Sequence, residues 1–225
     1  MRLSPCGFPR KASPDPLLKR LLAAHLYVIT SDAPPDHVIE LAEAAVRGGA
    51  DVLQLRHKGL ARGELLALAR RVREITAGSG ALFVVNDHVD IATLSKADGV
   101  HLGPDDLSIA SARRVTGDRL LIGASASTPE TARAAIVEGA DYLGSGPAFA
   151  TPIKSEKQVI GPDGVAAITA LAGSKVPVFA VGGIDESNVA ELIAVGLRRA
   201  CVIRAVAEAR DPEQATRRLR AMLTE

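Results

Sequence analysis

Basic and amide side chains near residue 55 have the chemistry to hold phosphate groups. Gln54, Arg56 and Lys58 occupy alternate positions at and just after the end of the apolar run 50–55. In an extended strand their side chains therefore lie on one face. An arginine binds two phosphate oxygens with its planar guanidinium group, a lysine adds a mobile point charge, and a glutamine amide can bond a heterocycle. We interpret this segment as a diphosphate-binding strand end. The alternative is a charged strand end that only faces solvent.

Two glycine-rich stretches in the C-terminal half also suggest phosphate binding. Residues 144–154 read GSGPAFATPIK and residues 181–184 read VGGI, and each stretch coincides with the end of a short apolar run. Glycine lets the backbone approach a ligand closely and direct its N–H groups at an anion, while Lys154 adds a full positive charge. Ordinary turn glycines are the alternative for either stretch taken alone.

Two aspartates, Asp87 and Asp106, are candidate ligands of a magnesium ion. They follow consecutive predicted strands, and Mg²⁺ is typically held by one or two carboxylates together with substrate phosphate oxygens and water. A bound cation, or the nearby Arg56 and Lys58, would allow both carboxylates to stay ionised side by side. Asp105 competes for the role of Asp106, and Asp106 is also placed to cap the helix predicted after it.

An alternation of strand and helix patterns predicts the fold that positions these residues. Eight apolar runs of strand length are separated by segments with apolar residues at helical spacing. Segments such as Gly49-Ala50-Asp51 are typical of a helix stop followed by a buried parallel strand. Eight such units in about 200 residues predict one closed (β/α)₈ barrel, the TIM barrel architecture. The predicted strands are Leu26–Thr30, Ala50–Leu55, Leu82–Val85, Gly99–Leu102, Leu120–Gly123, Asp141–Gly144, Val176–Val181 and Ala200–Ile203.

A barrel of this kind places its active site where the carboxyl ends of the strands meet, so polar residues just after each apolar run should converge. A Ser/His/Asp triad is not indicated, because Ser125 lacks the sequence context of a nucleophile elbow. His101 is expected only to line the mouth of the barrel. The converging groups are Gln54, Arg56, His57, Lys58, Asn86, Asp87, Asp106, Ser125, Thr151, Lys154, Gly183, Ile203 and Arg204.

Composition indicates a soluble protein with small-molecule ligands. The 225 residues are 47% apolar and 24% charged, with a net charge of +1 and 3% aromatics, which gives no footprint for nucleic acid or an anionic membrane. No apolar run approaches the roughly 20 residues needed to span a bilayer. Cys6 and Cys201 form no CxxC pair, so a disulfide framework or zinc site is not implied and a reducing cytoplasm fits best.

The domain organisation follows from the proline pattern at the start of the chain. Residues 1–20 are basic and interrupted by four prolines, so we expect a disordered N-terminal extension rather than a secretory signal. Residues 21–225 then form the catalytic barrel. The oligomeric state is left open, with a homo-oligomer among the alternatives.

Six segments in this order and spacing resemble the thiamine phosphate synthase (thiamine-phosphate pyrophosphorylase) family over about residues 25–224. The resemblance implies a magnesium-dependent transferase that joins 4-amino-2-methyl-5-pyrimidinylmethyl diphosphate to 4-methyl-5-(2-phosphoethyl)thiazole, giving thiamine phosphate and diphosphate. The segments are LYVIT at 26–30, QLRHK at 54–58, ND at 86–87, DGVHLG at 98–103, GADY at 139–142 and GGI at 182–184.

The resemblance also implies a role for each matching residue. Asp87 and Asp106 would hold the metal, while Ser125 and Lys154 would bind further diphosphate oxygens, with Arg56, Lys58, Ser125 and Lys154 as the catalytic set. The pyrimidine diphosphate would be held by Gln54, Leu55, Arg56, His57, Lys58 and Asn86. The thiazole phosphate would be surrounded by Thr151, Pro152, Ile153, Gly183, Ile203 and Arg204.

Two residues depart from the family pattern, and both lie on the thiazole side. The family usually has a second threonine where this chain has Ile153, and a serine where it has Arg204. We therefore expect the pyrimidine half of the site to be intact and the thiazole half to be altered, suited to a related acceptor such as the carboxylated thiazole.

Three other functions compete with this one. A thiazole tautomerase on the same barrel would have a histidine shortly after the serine of strand 5, where this chain reads Ser125-Ala126-Ser127, and would lack Asp106. A non-catalytic protein that binds thiamine precursors would keep the barrel without turnover. A generic phosphate-binding isomerase or aldolase is disfavoured, because no lysine is placed within a strand for Schiff-base chemistry.

Overall fold

Eight parallel strands close into a barrel in sequence order, each hydrogen-bonded to the next and β8 to β1. This computed structural model describes residues 16–151 and 158–225. The (β/α)₈ fold is confirmed, and each predicted strand is present with its ends shifted by at most two residues. The strands are β1 (Leu26–Ile29), β2 (Val52–Leu55), β3 (Leu82–Asn86), β4 (Gly99–Leu102), β5 (Leu121–Ser125), β6 (Tyr142–Ser145), β7 (Val178–Val181) and β8 (Ala200–Val202).

Helices follow the strands and cover the outside of the barrel. Their apolar faces pack on outward-facing strand residues such as Leu53, Leu55 and Val85 in one continuous buried layer. None of the helices in the part of the chain that the structure describes has the length and apolarity to cross a membrane. The helices are α1 (Pro16–Leu22), α2 (Pro35–Arg47), α3 (Arg62–Thr76), α4 (Val89–Leu94), α5 (Ile109–Thr116), α6 (Pro129–Glu138), α7 (Gly161–Ala172), α8 (Val189–Ala194), α9 (Arg204–Ala207) and α10 (Pro212–Thr224).

A second buried layer fills the inside of the barrel. Alternate strand residues point inward, and Tyr27, Tyr142 and Phe179 are the largest side chains there. Helix α1 covers the amino-terminal end, where Leu21 is fully buried against this layer. The predicted extension of residues 1–20 is therefore corrected at its end, because residues 16–20 belong to a helix that shields the barrel interior from water. Residues 1–15 lie outside the described residues.

Arginine–aspartate pairs fasten the amino-terminal ends of the strands and explain why an aspartate precedes three of the even-numbered strands. Asp51, Asp98 and Asp141 come directly before β2, β4 and β6. Each carboxylate accepts backbone N–H groups at the start of the preceding odd-numbered strand. Each also pairs with an arginine of a helix, at 3.0, 2.8 and 2.7 Å respectively. The partners are Arg220, Arg73 and Arg113.

The residue before the fourth even-numbered strand, β8, is Arg199 instead of an aspartate. Its Nη2 donates to the carbonyl oxygen of Leu22, 2.8 Å away, just where α1 ends. The arginine that replaces the aspartate therefore contacts the end of α1, where the chain is about to enter β1. Since all four fastenings lie at the amino-terminal ends, the opposite end is left for the functional site.

Candidate active site

A cavity of about 600 Å³ opens at the carboxyl ends of the strands. It brings together most of the residues predicted from the sequence, although they are spread over seven βα units, β2 to β8. The predicted residues that line it are Gln54, Arg56, Lys58, Asn86, Asp87, Asp106, Ser125, Thr151, Gly183, Ile203 and Arg204. Pro152, Ile153 and Lys154 lie outside the described residues.

The end of β2 is held by the loop that follows β1. The hydroxyl of Thr30 accepts the Arg56 N–H at 3.0 Å and donates to the Arg56 carbonyl at 3.1 Å. Asp32 accepts the backbone N–H of Lys58 at 2.6 Å with one carboxylate oxygen and faces Arg56 Nη1 at 3.2 Å with the other. The predicted phosphate-binding arginine is therefore anchored at its backbone and at its guanidinium group.

Leu55 and His57 were expected to contact substrate, and the structure corrects this for both side chains. Leu55 is 1% exposed and belongs to the layer between barrel and helices, because alternate strand residues face outward. The His57 ring bonds to the carbonyl oxygen of Ala33 through Nε2 at 3.0 Å, while Nδ1 accepts the Gly59 N–H at 3.2 Å. This ring fastens the loop, and neither side chain lines the cavity.

The two predicted metal ligands lie side by side. The pKa of Asp87 is raised to about 6, first by burial and then by a hydrogen bond to Asp106 and the charge of Asp106, against a smaller lowering by Lys58 and Arg56. Asp87 Oδ2 lies 4.0 Å from Lys58 Nζ. Two carboxylates that repel each other in this way form a set of hard oxygen donors that suits a divalent cation.

Backbone contacts hold both aspartates at the cavity. Asp87 has a φ of 63°, in the left-handed region, and its N–H donates to the carbonyl oxygen of His101 at 2.8 Å. Asp106 Oδ2 accepts the Gly103 N–H at 2.7 Å, whereas the hydroxyl of Ser108 caps α5. Asp106 is therefore not the helix cap that the sequence allowed. Asp105 also lines the cavity, with an exposed side chain.

An ion at Asp87 and Asp106 would need further ligands from substrate or water. Over residues 16–151 and 158–225, no cluster of three or more His, Cys, Asp or Glu side chains is arranged to hold a metal. A site with two carboxylates beside two cations fits Mg²⁺ that arrives with a diphosphate, since Mg²⁺ keeps several waters and shares substrate oxygens.

Two buried tyrosines under the cavity were missed by the sequence analysis. The Tyr27 hydroxyl donates to Gln54 Oε1 at 2.6 Å and lies 2.9 Å from the hydroxyl of Tyr142. Burial raises the pKa of both tyrosines above the ordinary value, so both stay protonated. Gln54 Nε2 in turn donates to Asn86 Oδ1 at 2.9 Å.

The same bonds continue to the other side of the barrel. The Tyr142 hydroxyl oxygen lies 3.3 Å from His101 Nδ1, and His101 Nε2 lies 3.0 Å from Ser125 Oγ. His101 thus contacts a predicted substrate ligand instead of only lining the mouth. The available signal was that the chain has two tyrosines, both at inward-facing strand positions.

Glycines allow the loops after β6 and β7 to meet at close range. Gly183 has a φ of 64°, and a Cβ there would lie 2.5 Å from the Ala150 carbonyl oxygen. The N–H groups of Ala148 and Phe149 donate to the carbonyl oxygens of Val181 and Gly182 at 2.9 Å. The backbone at Gly183 and Thr151 is thereby brought to the same wall of the cavity.

Arg204 stands at the rim, at the first residue of α9. Its Nη1 lies 3.9 Å from Glu208 Oε2, and its side chain is 43% exposed. Glu208 and Asp185 also line the cavity, and neither was predicted from the sequence. This wall therefore carries one guanidinium group next to carboxylates, unlike the mainly cationic end of β2.

The fold and the cavity together define a (β/α)₈-barrel protein with a cavity at the carboxyl ends of the strands, where cations lie beside a carboxylate pair. Residues 26–206 match the family model described as thiamine monophosphate synthase. The chain belongs to this family.

Individual relatives agree with the family. A thiamine-phosphate synthase from Thermobifida fusca is 46% identical over 213 residues, covering 93% of this chain and 96% of that protein. One from Gloeobacter violaceus is 45% identical over 200 residues, covering 89% of this chain and 58% of that protein. This chain thus spans less than two thirds of the length of the Gloeobacter protein.

A solved structure is also similar. The thiamine phosphate pyrophosphorylase from Pyrococcus furiosus superimposes with a TM-score of 0.82 at 38% identity, covering 92% of this chain and 98% of that one. The similarity therefore extends through almost the whole barrel.

Proposed function

We propose that this protein is a thiamine phosphate synthase that condenses 4-amino-2-methyl-5-pyrimidinylmethyl diphosphate with 4-methyl-5-(2-phosphoethyl)thiazole, or its carboxylated form. The observation that carries the proposal is the meeting of Arg56 and Lys58 with the Asp87–Asp106 pair in one cavity. Cations next to a carboxylate pair suit a diphosphate that binds together with Mg²⁺.

The diphosphate is bound at the end of β2. Arg56 donates to two phosphate oxygens, and Lys58 balances a further charge from its exposed position near Asp87. Lys154, outside the described residues, is proposed to join them. Mg²⁺ held by Asp87 and Asp106 would supply Lewis-acid stabilisation of the leaving group.

The pyrimidine ring is oriented by Gln54, Asn86 and Ser125 at the floor of the cavity. When the C–O bond to the diphosphate breaks, the positive charge on the pyrimidinylmethyl carbon is stabilised by the amino group of the ring. Diphosphate leaves with the electron pair of that C–O bond, and the thiazole nitrogen then donates its lone pair to the carbon to form the new C–N bond. With the carboxylated acceptor, CO₂ is also lost and a proton replaces it on the same carbon. The protein contributes orientation and neutralisation of the leaving-group charge.

The thiazole phosphate is bound on the wall formed after β6, β7 and β8. Backbone N–H groups at Gly183 and at residues 203–204 are the proposed phosphate donors, as in other barrels with a phosphate site after strands 7 and 8. Thr151 lies on this wall, and Pro152 and Ile153 are proposed to complete it. Arg204 offers a positive charge that suits a carboxylate on the acceptor.

The carboxylate pair favours this function over the alternatives. A tautomerase or a binding protein has little use for Asp87 and Asp106 as a metal site, since no diphosphate would depart. We also propose that the enzyme works in the cytoplasm on small-molecule substrates, without a nucleic-acid or membrane partner.

Mass spectrometry of a reaction mixture tests the proposal. Purified protein with both substrates and Mg²⁺ is expected to form thiamine phosphate, and a chelator is expected to stop its formation. Binding of the pyrimidine diphosphate without product would point to a different acceptor or a binding role. Absence of both binding and product would overturn the proposal.

A further inference from the structure

We propose that the buried hydrogen-bond chain from Asn86 to Ser125 has one fixed direction, so that Ser125 presents only acceptor lone pairs to the cavity and Asn86 presents N–H donors. Tyr27, Tyr142 and His101 are then positioning residues that determine which heterocycle the floor accepts. The identity of that heterocycle as a 4-aminopyrimidine rests on the proposed function, whereas the direction of the chain does not.

The direction starts at Gln54, whose amide has distinguishable ends. Its Nε2 donates to Asn86 Oδ1, and its carbonyl Oε1 accepts the hydroxyl proton of Tyr27. A tyrosine hydroxyl carries one proton, so the oxygen of Tyr27 must accept in its other contact. The proton in the 2.9 Å contact between the two tyrosines therefore belongs to Tyr142.

The hydrogen bond from Tyr142 to Tyr27 fixes the tautomer of His101. Because Tyr142 gives its proton to Tyr27, its oxygen accepts from His101 Nδ1–H across 3.3 Å. A neutral imidazole with a proton on Nδ1 has a bare Nε2, which accepts the hydroxyl proton of Ser125 across 3.0 Å. Ser125 has then used its single proton within the protein.

The surroundings of the tyrosines keep the chain in this arrangement. Tyr27 and Tyr142 are 2% and 1% exposed, and both contact the ring of Phe179 edge-on, with centroids 5.3 and 6.0 Å apart. A Cβ at Gly123 would lie 2.0 Å from Tyr142 Cζ, so the glycine makes room for this ring. A buried donor or acceptor without a partner costs free energy. If one residue of the chain changes its donor or acceptor role, its neighbours must therefore change theirs.

The consequence is a polarity that selects the ligand. An exocyclic amino group can donate to Ser125, and the adjacent ring nitrogen can accept from Asn86. The 4-oxo analogue carries the opposite pattern, a carbonyl acceptor next to a ring N–H. It also follows that Ser125, having given its proton to His101, contacts the ring and not a diphosphate oxygen, which would require a donor.

The test is the tautomer of His101 in the ligand-free protein, measured by long-range ¹H–¹⁵N correlation spectra. We expect the Nδ1–H form in the wild type. In Tyr27→Phe, Tyr142 loses its acceptor and turns its proton to His101 Nδ1, so the histidine should switch to the Nε2–H form. Ser145→Ala is the matched control, since this buried hydroxyl of the same strand as Tyr142 has no hydrogen-bond partner among the described residues and lies outside the chain of bonds.

The Nε2–H form in the wild type, or an unchanged tautomer in folded Tyr27→Phe, would overturn the proposal. If Tyr27→Phe does not fold, the wild-type tautomer alone decides. Competition between 4-amino-5-hydroxymethyl-2-methylpyrimidine and its 4-oxo analogue provides a second readout, with at least about tenfold weaker binding expected for the oxo compound. Equal binding of the two would contradict the assigned polarity. Because the spectra need no substrate, they test the direction of the chain even if the protein makes no thiamine phosphate.

Discussion

Asp32 and Arg56 form an ion pair across two loops, with Asp32 Oδ2 at 3.2 Å from Arg56 Nη1. The other oxygen of the same carboxylate accepts the Lys58 N–H at 2.6 Å. One carboxylate therefore holds both the guanidinium group of Arg56 and the backbone of Lys58, the two residues that we propose to bind diphosphate. Asp32 was not among the residues identified from the sequence.

Removing this carboxylate is expected to impair turnover more than folding. We predict that Asp32→Ala lowers kcat/KM for the pyrimidine diphosphate on the order of 10- to 100-fold, because Arg56 and Lys58 lose their common anchor. Asp32→Asn keeps an acceptor for the Lys58 N–H, so its kcat/KM should lie between those of the wild type and Asp32→Ala. Asp36→Asn, which removes an exposed pair with Arg71, is the control in the same steady-state assay. Equal activity of Asp32→Ala and the control would refute the positioning role.

Asp87 is expected to destabilise the metal-free protein when it is ionised. Its folded-state pKa of about 6 lies above the ordinary value of 3.8, so the protonated form favours folding and stability falls as pH rises through this window. Asp87→Asn should raise the free energy of unfolding at pH 8 by on the order of 1 kcal/mol, after allowance for solvent screening. Asparagine also tolerates the left-handed backbone.

Urea denaturation with a chelator at pH 8 and at pH 4 measures this effect. The gain should shrink at pH 4, where the wild-type carboxyl is mostly protonated. Asp105→Asn, at an exposed neighbour on the same rim, serves as the control and should change little. A loss of stability at pH 8 in Asp87→Asn would contradict the prediction.

The same aspartates are expected to govern the response to Mg²⁺. Asp106→Asn keeps an acceptor for the Gly103 N–H and removes one negative charge from the site. We predict that it raises the Mg²⁺ concentration needed for half-maximal product formation at least about tenfold. Titration of Mg²⁺ into chelator-treated enzyme provides the measurement, and an unshifted curve would rule out Asp106 as a ligand.

Gly123 is expected to be essential for the placement of Tyr142. A methyl group there meets the Tyr142 ring at 2.0 Å, so Gly123→Ala should lower the free energy of unfolding by about 1–3 kcal/mol or more. Gly63→Ala is the matched control, because no atom lies within 4 Å of its Cβ position and alanine favours the helix. Thermal denaturation of the two variants should show opposite shifts, and a neutral Gly123→Ala would be inconsistent with the packing described above.

Arg204 is expected to set the preference among thiazole acceptors. We predict that Arg204→Ser raises KM for the carboxylated thiazole phosphate by about tenfold and changes KM for the uncarboxylated form less, because a charge-assisted contact is lost. Initial rates with each acceptor at saturating pyrimidine diphosphate provide the comparison. If the affinity for both acceptors stays the same, Arg204 does not shape this pocket.

Much of the fold was predictable because buried parallel strands produce continuous apolar runs. Runs such as Leu82–Val85 and Gly99–Leu102 could be placed to within one residue, and the closed barrel follows from eight of them in alternation with helices. The topology alone then brings Gln54, Asn86 and Ser125 to one rim, which is why most of the predicted site residues line one cavity.

Some residues were misplaced or missed for local reasons and others for long-range reasons. Leu55 and His57 were assigned with their neighbours although strand alternation and a loop contact turn them away from the cavity. Helix α1 was not anticipated, since four prolines obscured the short apolar face that covers the barrel. Nothing in the sequence near Asp32 indicates that it faces a residue 24 positions further along the chain.

The sequence by itself determined the strand order, the barrel and the types of side chain that reach its rim, because hydrophobic periodicity and backbone topology are properties of short segments. Only the tertiary structure decided that the hydroxyl groups of Tyr27 and Tyr142, 115 positions apart, are hydrogen-bonded and that His101 stands between Tyr142 and Ser125. A hydrogen bond depends on distances of a few tenths of an ångström between residues remote in sequence, and these are set by the closure of the whole barrel.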